Sequence, residues 1–101
     1  MTSKPQFQQM TDRRADRRPY RATVQFRAGL RRASVEVRDI SELGARISGV
    51  FRAHVGDRFF IKLGSLEAIE ARIAWVADFE FGCEFVRPLS PFILDAIIRT
   101  A

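Results

Sequence analysis

The sequence predicts an all-β domain: a six-stranded antiparallel β-barrel with a C-terminal α-helix, preceded by a flexible basic arm. Three observations carry this reading. Between residues 22 and 87, apolar residues recur at every second position in six short runs. The runs are separated by Gly, Asp and Ser turn signals with no helical pattern between them, so parallel strands joined by crossover helices are excluded. A helical period appears only near the C-terminus. A closed barrel is expected rather than an open sheet, because closure removes the unpaired edges that would pair with other molecules.

The elements follow in order. Residues 1–12 are polar and unpatterned and read as a flexible tail. Residues 13–21 form the basic arm, and the barrel is expected to span 22–87. Val24 and Phe26 alternate with Thr23, Gln25 and Arg27 before the Ala28-Gly29 turn. Val35 and Val37 then alternate with Ser34, Glu36 and Arg38, which makes the first two strands a hairpin. The third strand places Ala45 and Ile47 opposite Arg46. Gly56-Asp57 opens the fourth, with Phe59, Ile61 and Leu63 on one side. The fifth points Ile69, Ala71, Ile73 and Trp75 inward, and the sixth does the same with Phe81, Cys83 and Phe85. At residues 90–100, Ser90 is a ready N-cap and Pro91 suits the first helical position. Ile93 with Ile97, and Leu94 with Ile98, give a broad apolar face that either caps the barrel or joins a partner helix.

Charge is distributed unevenly along the chain. Residues 1–32 hold one lysine and eight arginines against two aspartates, a net +7, whereas residues 33–101 hold eight bases against ten acids, a net −2. An anionic partner at the N-terminal end is the expectation. No apolar run is long enough to span a bilayer, so no membrane insertion is expected, and the N-terminus lacks the apolar core of a secretory signal. The single cysteine, Cys83, allows no internal disulfide and points to a reducing cytoplasm. Cys83 lies on the apolar face of its strand, and the only histidine, His54, has no metal-ligating partner in pattern. Neither a catalytic centre nor a metal site is expected, and no cofactor is implied.

Two segments carry binding chemistry. In RRADRRP, residues 13–19, Arg13 is four residues from Arg17, and Arg14 repeats the spacing with Arg18. Guanidinium groups bind phosphate in bidentate fashion and also match the O6/N7 edge of guanine. In RDISELGA, residues 38–45, Asp39 offers a carboxylate to base N–H groups and Ser41 a hydroxyl in a tight turn. Gly44 offers a backbone free to take positive φ without a Cβ to block a ligand. Taken alone, the second segment is better read as ordinary turn chemistry.

RxxxR ahead of the first strand and D-x-S-x-x-G after the second together resemble the PilZ domain, a bacterial cyclic di-GMP receptor. Arg17-Arg18-Pro19, the Gly56-Asp57 turn, Ile73-Ala74-Trp75-Val76 and Phe81-Gly82-Cys83-Glu84-Phe85 extend the likeness from residue 13 to about 87. The resemblance implies that Arg13 and Arg17 hold the ligand's phosphates and guanine edges, with Arg14 and Arg18 as the alternative register. It further implies that Asp39 accepts hydrogen bonds from a guanine, Ser41 contacts a phosphate and Gly44 lets the backbone approach. The arm would order over cyclic di-GMP and pass the signal to a downstream protein, from a monomer or a homodimer. Two rivals differ in class: a PilZ-like adaptor that binds no nucleotide, and a small basic barrel that binds single-stranded nucleic acid. The second needs exposed aromatics for stacking, for which only Tyr20, Phe51 and Phe60 present themselves, so nucleic acid is not the expected partner.

Overall fold

A computed structural model describes residues 16–49 and 52–99. The tail, Arg13 and Arg14 lie outside the described residues. Period-two patterning builds six antiparallel strands: β1 (Arg18–Ala28), β2 (Arg31–Ile40), β3 (Gly44–Ser48), β4 (Arg58–Lys62), β5 (Ile69–Val76) and β6 (Glu80–Phe85). They close into a barrel in the order β1-β2-β3-β6-β5-β4, and β1 against β4 makes the closing seam. The helix α1 (Pro91–Arg99) follows.

The β1–β2 hairpin turns at Gly29 and Leu30. Gly29 alone takes a positive φ, of 60°, which matches the first central position of a type II′ turn. Inside the barrel Phe26, Phe59 and Phe81 form one aromatic group. Phe26 stacks on Phe59 at 4.8 Å between ring centroids, and Phe81 meets the pair edge-on. Val37, Ile40, Ile47, Ile61 and Leu63 complete a dry core around them.

Three expectations change. β1 begins at Arg18, inside the segment expected as arm, because Arg18 pairs with Ile40 and Pro19 with Asp39. A leading strand end tolerates the missing N–H of Pro19, and a bulge before Ala22 accommodates it. Tyr20 is therefore a core residue, 4% exposed, and not a stacking candidate. Trp75 does not continue the inward run of β5. A bulge between Ile73 and Trp75 adds Ala74 to the strand and sets Trp75 opposite Gly82, half-buried.

The helix packs onto the barrel, one of the two expected arrangements. Ser90 Oγ accepts the Ile93 N–H at 3.2 Å, and Leu94 and Ile97 are buried in the barrel's core cluster.

Candidate functional site

The site is assembled where β1, β2 and β3 lie side by side. Asp39 on β2 is in register with Pro19 on β1 and with Arg46 on β3. Arg17 Nη1 donates to Asp39 Oδ1 at 2.7 Å, and Arg46 Nε donates to Oδ2 at 3.0 Å. Each carboxylate oxygen thus receives its own guanidinium, and the Asp39 side chain is only 15% exposed. Arg46 also reaches Glu80 on β6 at 3.4 Å.

The row continues beyond Arg46. On its other side Arg46 pairs with Gly82 of β6, which in turn pairs with Trp75 of β5. Phe81 and Cys83 point inward, so the position of Gly82 faces out. A Cβ there would come within 2.0 Å of the Trp75 Nε1. The absence of a side chain at Gly82 is what seats the indole on the outer wall. Carboxylate, guanidinium and aromatic plane therefore line up across neighbouring strands, with roughly 14 Å from Asp39 to Trp75 at the usual strand spacing.

The turn beneath this row is braced by Ser41. Its N–H donates to the Gly44 carbonyl at 2.8 Å, and its Oγ accepts the N–H groups of Leu43 (3.1 Å) and Gly44 (3.3 Å). Ser41 is 5% exposed, so its hydroxyl serves the turn. Further backbone bonds, Phe85 N–H to Leu43 C=O and Leu89 N–H to Glu42 C=O, tie the turn to the exit of β6.

Gly44 corrects an expectation. It has no positive φ; the positive-φ glycines are Gly29, Gly56 and Gly64. Its requirement is steric instead, since a Cβ at Gly44 would lie 1.9 Å from the Cys83 carbonyl oxygen. Close approach of β3 to β6 selects glycine here.

Arg18 lies apart from Asp39 and pairs with Asp95 of α1 at 3.2 Å. The structure thus brings Arg17 and Asp39 together over the Ser41–Gly44 turn and sends Arg18 to the helix. Arg13 and Arg14 fall outside the described residues. Sequence reasoning missed Arg46, Glu80 and the outward aim of Trp75. A basic residue in register with Asp39 and a glycine facing a tryptophan were the available signals, but both depend on knowing the strand order.

Among the described residues no group of His, Cys, Asp and Glu could hold a metal ion. Burial pushes the Cys83 thiol up to about 12, which keeps it protonated and inert. A pocket of about 130 Å³ lies elsewhere, over β4, β5 and β6, lined by Arg58, Arg72, Glu84, Phe85 and Val86. Among the described residues no helix is long and apolar enough to cross a membrane.

The family model of the PilZ domain matches residues 11–99 of the chain. No curated protein and no solved structure matches it.

Proposed function

The chain belongs to the PilZ domain family, and on that premise we propose that it is a cyclic di-GMP receptor whose ligand lies along the row from Arg17 to Trp75. The observation that carries the proposal is Asp39 held between two guanidinium groups, in line with an outward indole. Guanine presents N–H donors to a carboxylate, an O6/N7 edge to arginine and a flat face to an aromatic ring. A cyclic dinucleotide adds two phosphates, which suit the arginines of residues 13–18. Charge-assisted hydrogen bonds contribute about 1.5–3 kcal/mol each and a stacked base about 1–3 kcal/mol, so micromolar affinity, about 8 kcal/mol, takes at least three such bonds together with stacking.

The residues divide the work. Asp39, Arg17 and Arg46 contact the ligand, joined by Arg13 or Arg14 from the arm, while Ser41 and Gly44 shape the corner beneath it. Arg17 and Arg18 already hold carboxylates, Asp39 and Asp95. Phosphates therefore compete with these partners for the arm. The Arg18–Asp95 pair is half-exposed on both sides and costs little to break. Drawing Arg18 away frees the arm from α1, and the altered surface is the signal read by a downstream protein. No step of this requires covalent chemistry, so the chain acts as a receptor and not as an enzyme.

Calorimetric titration with cyclic di-GMP tests the reading. The parent should bind, and Arg17→Ala and Asp39→Ala should each lose at least tenfold in affinity. Trp75 emission should change on binding, and Trp75→Ala should weaken it by about tenfold. A folded parent that gives no heat and no emission change would leave the adaptor reading in its place.

A further inference from the structure

The barrel has two ends, and they differ. Strand directions place the Ser41–Leu43 turn and the 63–68 connection at one end, which α1 covers. The opposite end carries the Gly29-Leu30 turn, the β3–β4 connection (described for Gly49 and Arg52–Asp57) and the 77–79 connection. These three connections are tied together: Arg31 Nη2 donates to the Arg52 carbonyl at 3.3 Å, and the Gly49 N–H donates to the Phe79 carbonyl at 3.1 Å.

Among the described residues, each connection lifts a large apolar side chain into solvent. Leu30 is 102% exposed, Phe79 74% and Val55 66%. Apolar side chains exposed together at one end mark a contact surface, and α1 at the other end exposes one more, Phe92 at 86%. Around them stand the exposed arginines Arg27, Arg31, Arg32 and Arg52. Arg27 and Arg32 are directly opposite each other in the hairpin ladder, a like-charged pairing that works against the fold. Three carboxylates share this end, Asp57, Asp78 and Glu80; Asp57 already accepts the His54 N–H, and Glu80 accepts from Arg46.

We propose that this end is a peripheral docking face for an anionic lipid bilayer. Leu30, Val55 and Phe79 enter the interfacial layer while the arginines meet lipid phosphates. Positive charge at the rim fits an anionic surface, and each basic residue close to such a surface strengthens attachment about fivefold. The shape favours lipid over a rigid protein. Three apolar side chains on separate convex tips need three matching pockets in a folded partner, whereas a fluid layer yields to all of them. Attachment is at the surface and needs no spanning segment. α1 and Asp39 lie toward the opposite end of the barrel, whereas Trp75 lies beside the 77–79 connection, so Asp39 is the residue that separates docking from the nucleotide reading.

Co-sedimentation of the full chain with vesicles tests this, using phosphatidylcholine alone and phosphatidylcholine mixed with phosphatidylglycerol. The mixed vesicles should bind at low salt and release the protein as salt rises, and the neutral vesicles should bind at least tenfold more weakly. Leu30→Asp should lose on the order of tenfold in partitioning, and Arg31→Glu with Arg32→Glu at least as much. Leu30 is not buried, so Leu30→Asp should leave the melting curve unchanged; the arginine pair, which removes both the Arg31 bond to the Arg52 carbonyl and the Arg27–Arg32 repulsion, should still melt in one cooperative transition. Leu30→Trp should show a blue-shifted emission on the mixed vesicles, and Asp39→Ala should bind them as the parent does. The proposal is overturned by equal binding to both vesicle types, by full binding of Leu30→Asp, or by an unshifted Leu30→Trp. It is equally overturned if the parent ignores vesicles and instead self-associates through a contact that Leu30→Asp abolishes.

Discussion

Two groups of arginines and carboxylates decorate the outside of this barrel, and only one of them is built around a shielded carboxylate. Over β4, β5 and β6, Arg58 pairs with Glu70 and Arg72 with Glu84, each at 3.1 Å. Around β1, β2 and β3, Arg17 and Arg46 share Asp39 at 2.7 and 3.0 Å. Distances and residue types are nearly the same. The difference is solvent: Arg72 and Glu84 are 52% and 59% exposed, whereas Asp39 is 15% exposed. The first group consists of independent surface pairs, which contribute about 0–1 kcal/mol and are screened by salt. In the second, one shielded carboxylate fixes two guanidinium groups at a set separation beside an aromatic plane. Preorganisation, and not the number of charges, makes a recognition site.

The comparison can be broken where the two groups meet. Gly44 pairs with Glu84 across the β3–β6 ladder, so it borders both. Gly44→Ala drives a Cβ against the Cys83 carbonyl, and because backbone cannot swing aside as a side chain does, a loss of about 3 kcal/mol or more is expected in chemical denaturation. A near-neutral result would show that β3 and β6 can part, and that the corner is less rigid than its geometry implies.

Matched charge removal sharpens the contrast. Asp39→Asn should lower stability by about 1–2 kcal/mol and weaken cyclic di-GMP binding at least tenfold, because two guanidinium groups lose their shared acceptor. Glu84→Gln, the smallest effect expected of the series, should change stability by less than about 0.5 kcal/mol and leave binding untouched. Equal effects at the two positions would erase the distinction drawn between them.

Between these extremes lie two further measurements. Gly82→Ala should push the Trp75 indole off its seat, seen as a shift in tryptophan emission with a stability loss of about 1 kcal/mol. Alkaline titration reaches the shared interior. The folded Cys83 thiol is held near 12 against an ordinary 9.0. The unfolded chain therefore releases its proton first, and stability falls as pH rises above 9.0, by roughly 1 kcal/mol at about pH 10. Burial raises Tyr20 in the same direction, so it adds to the loss above its ordinary 10.0. Cys83→Ala should flatten the slope without altering either group of ion pairs.

Much of the fold was legible because burial in a barrel follows the alternation of the strands. Phe59, Ile61 and Leu63 announced β4, and Ser90-Pro91 announced the start of α1. The two misread strand positions share one cause. At Pro19–Ala22 and Ile73–Trp75 a bulge inserts a residue, and period-two reasoning cannot see an insertion that only the partner strand reveals. Arg17 and Asp39 were legible as local motifs. Arg46 was not, since its importance comes from register with Asp39 and from nothing in its own neighbourhood. At Gly44 the expected positive φ is absent, and the ladder to β6 is what excludes a side chain.

The contact between Arg18 and Asp95 joins the first strand to the helix that closes the chain's described part. Entry and exit of the fold therefore adjoin, on the side where the arginines gather. A module of this kind can be spliced into a host polypeptide, or have its ends relocated, without disturbing the ladder order. Whatever is fused at either point sits next to the arginine-bearing corner, so an occupant there would be felt first by the neighbouring sequence.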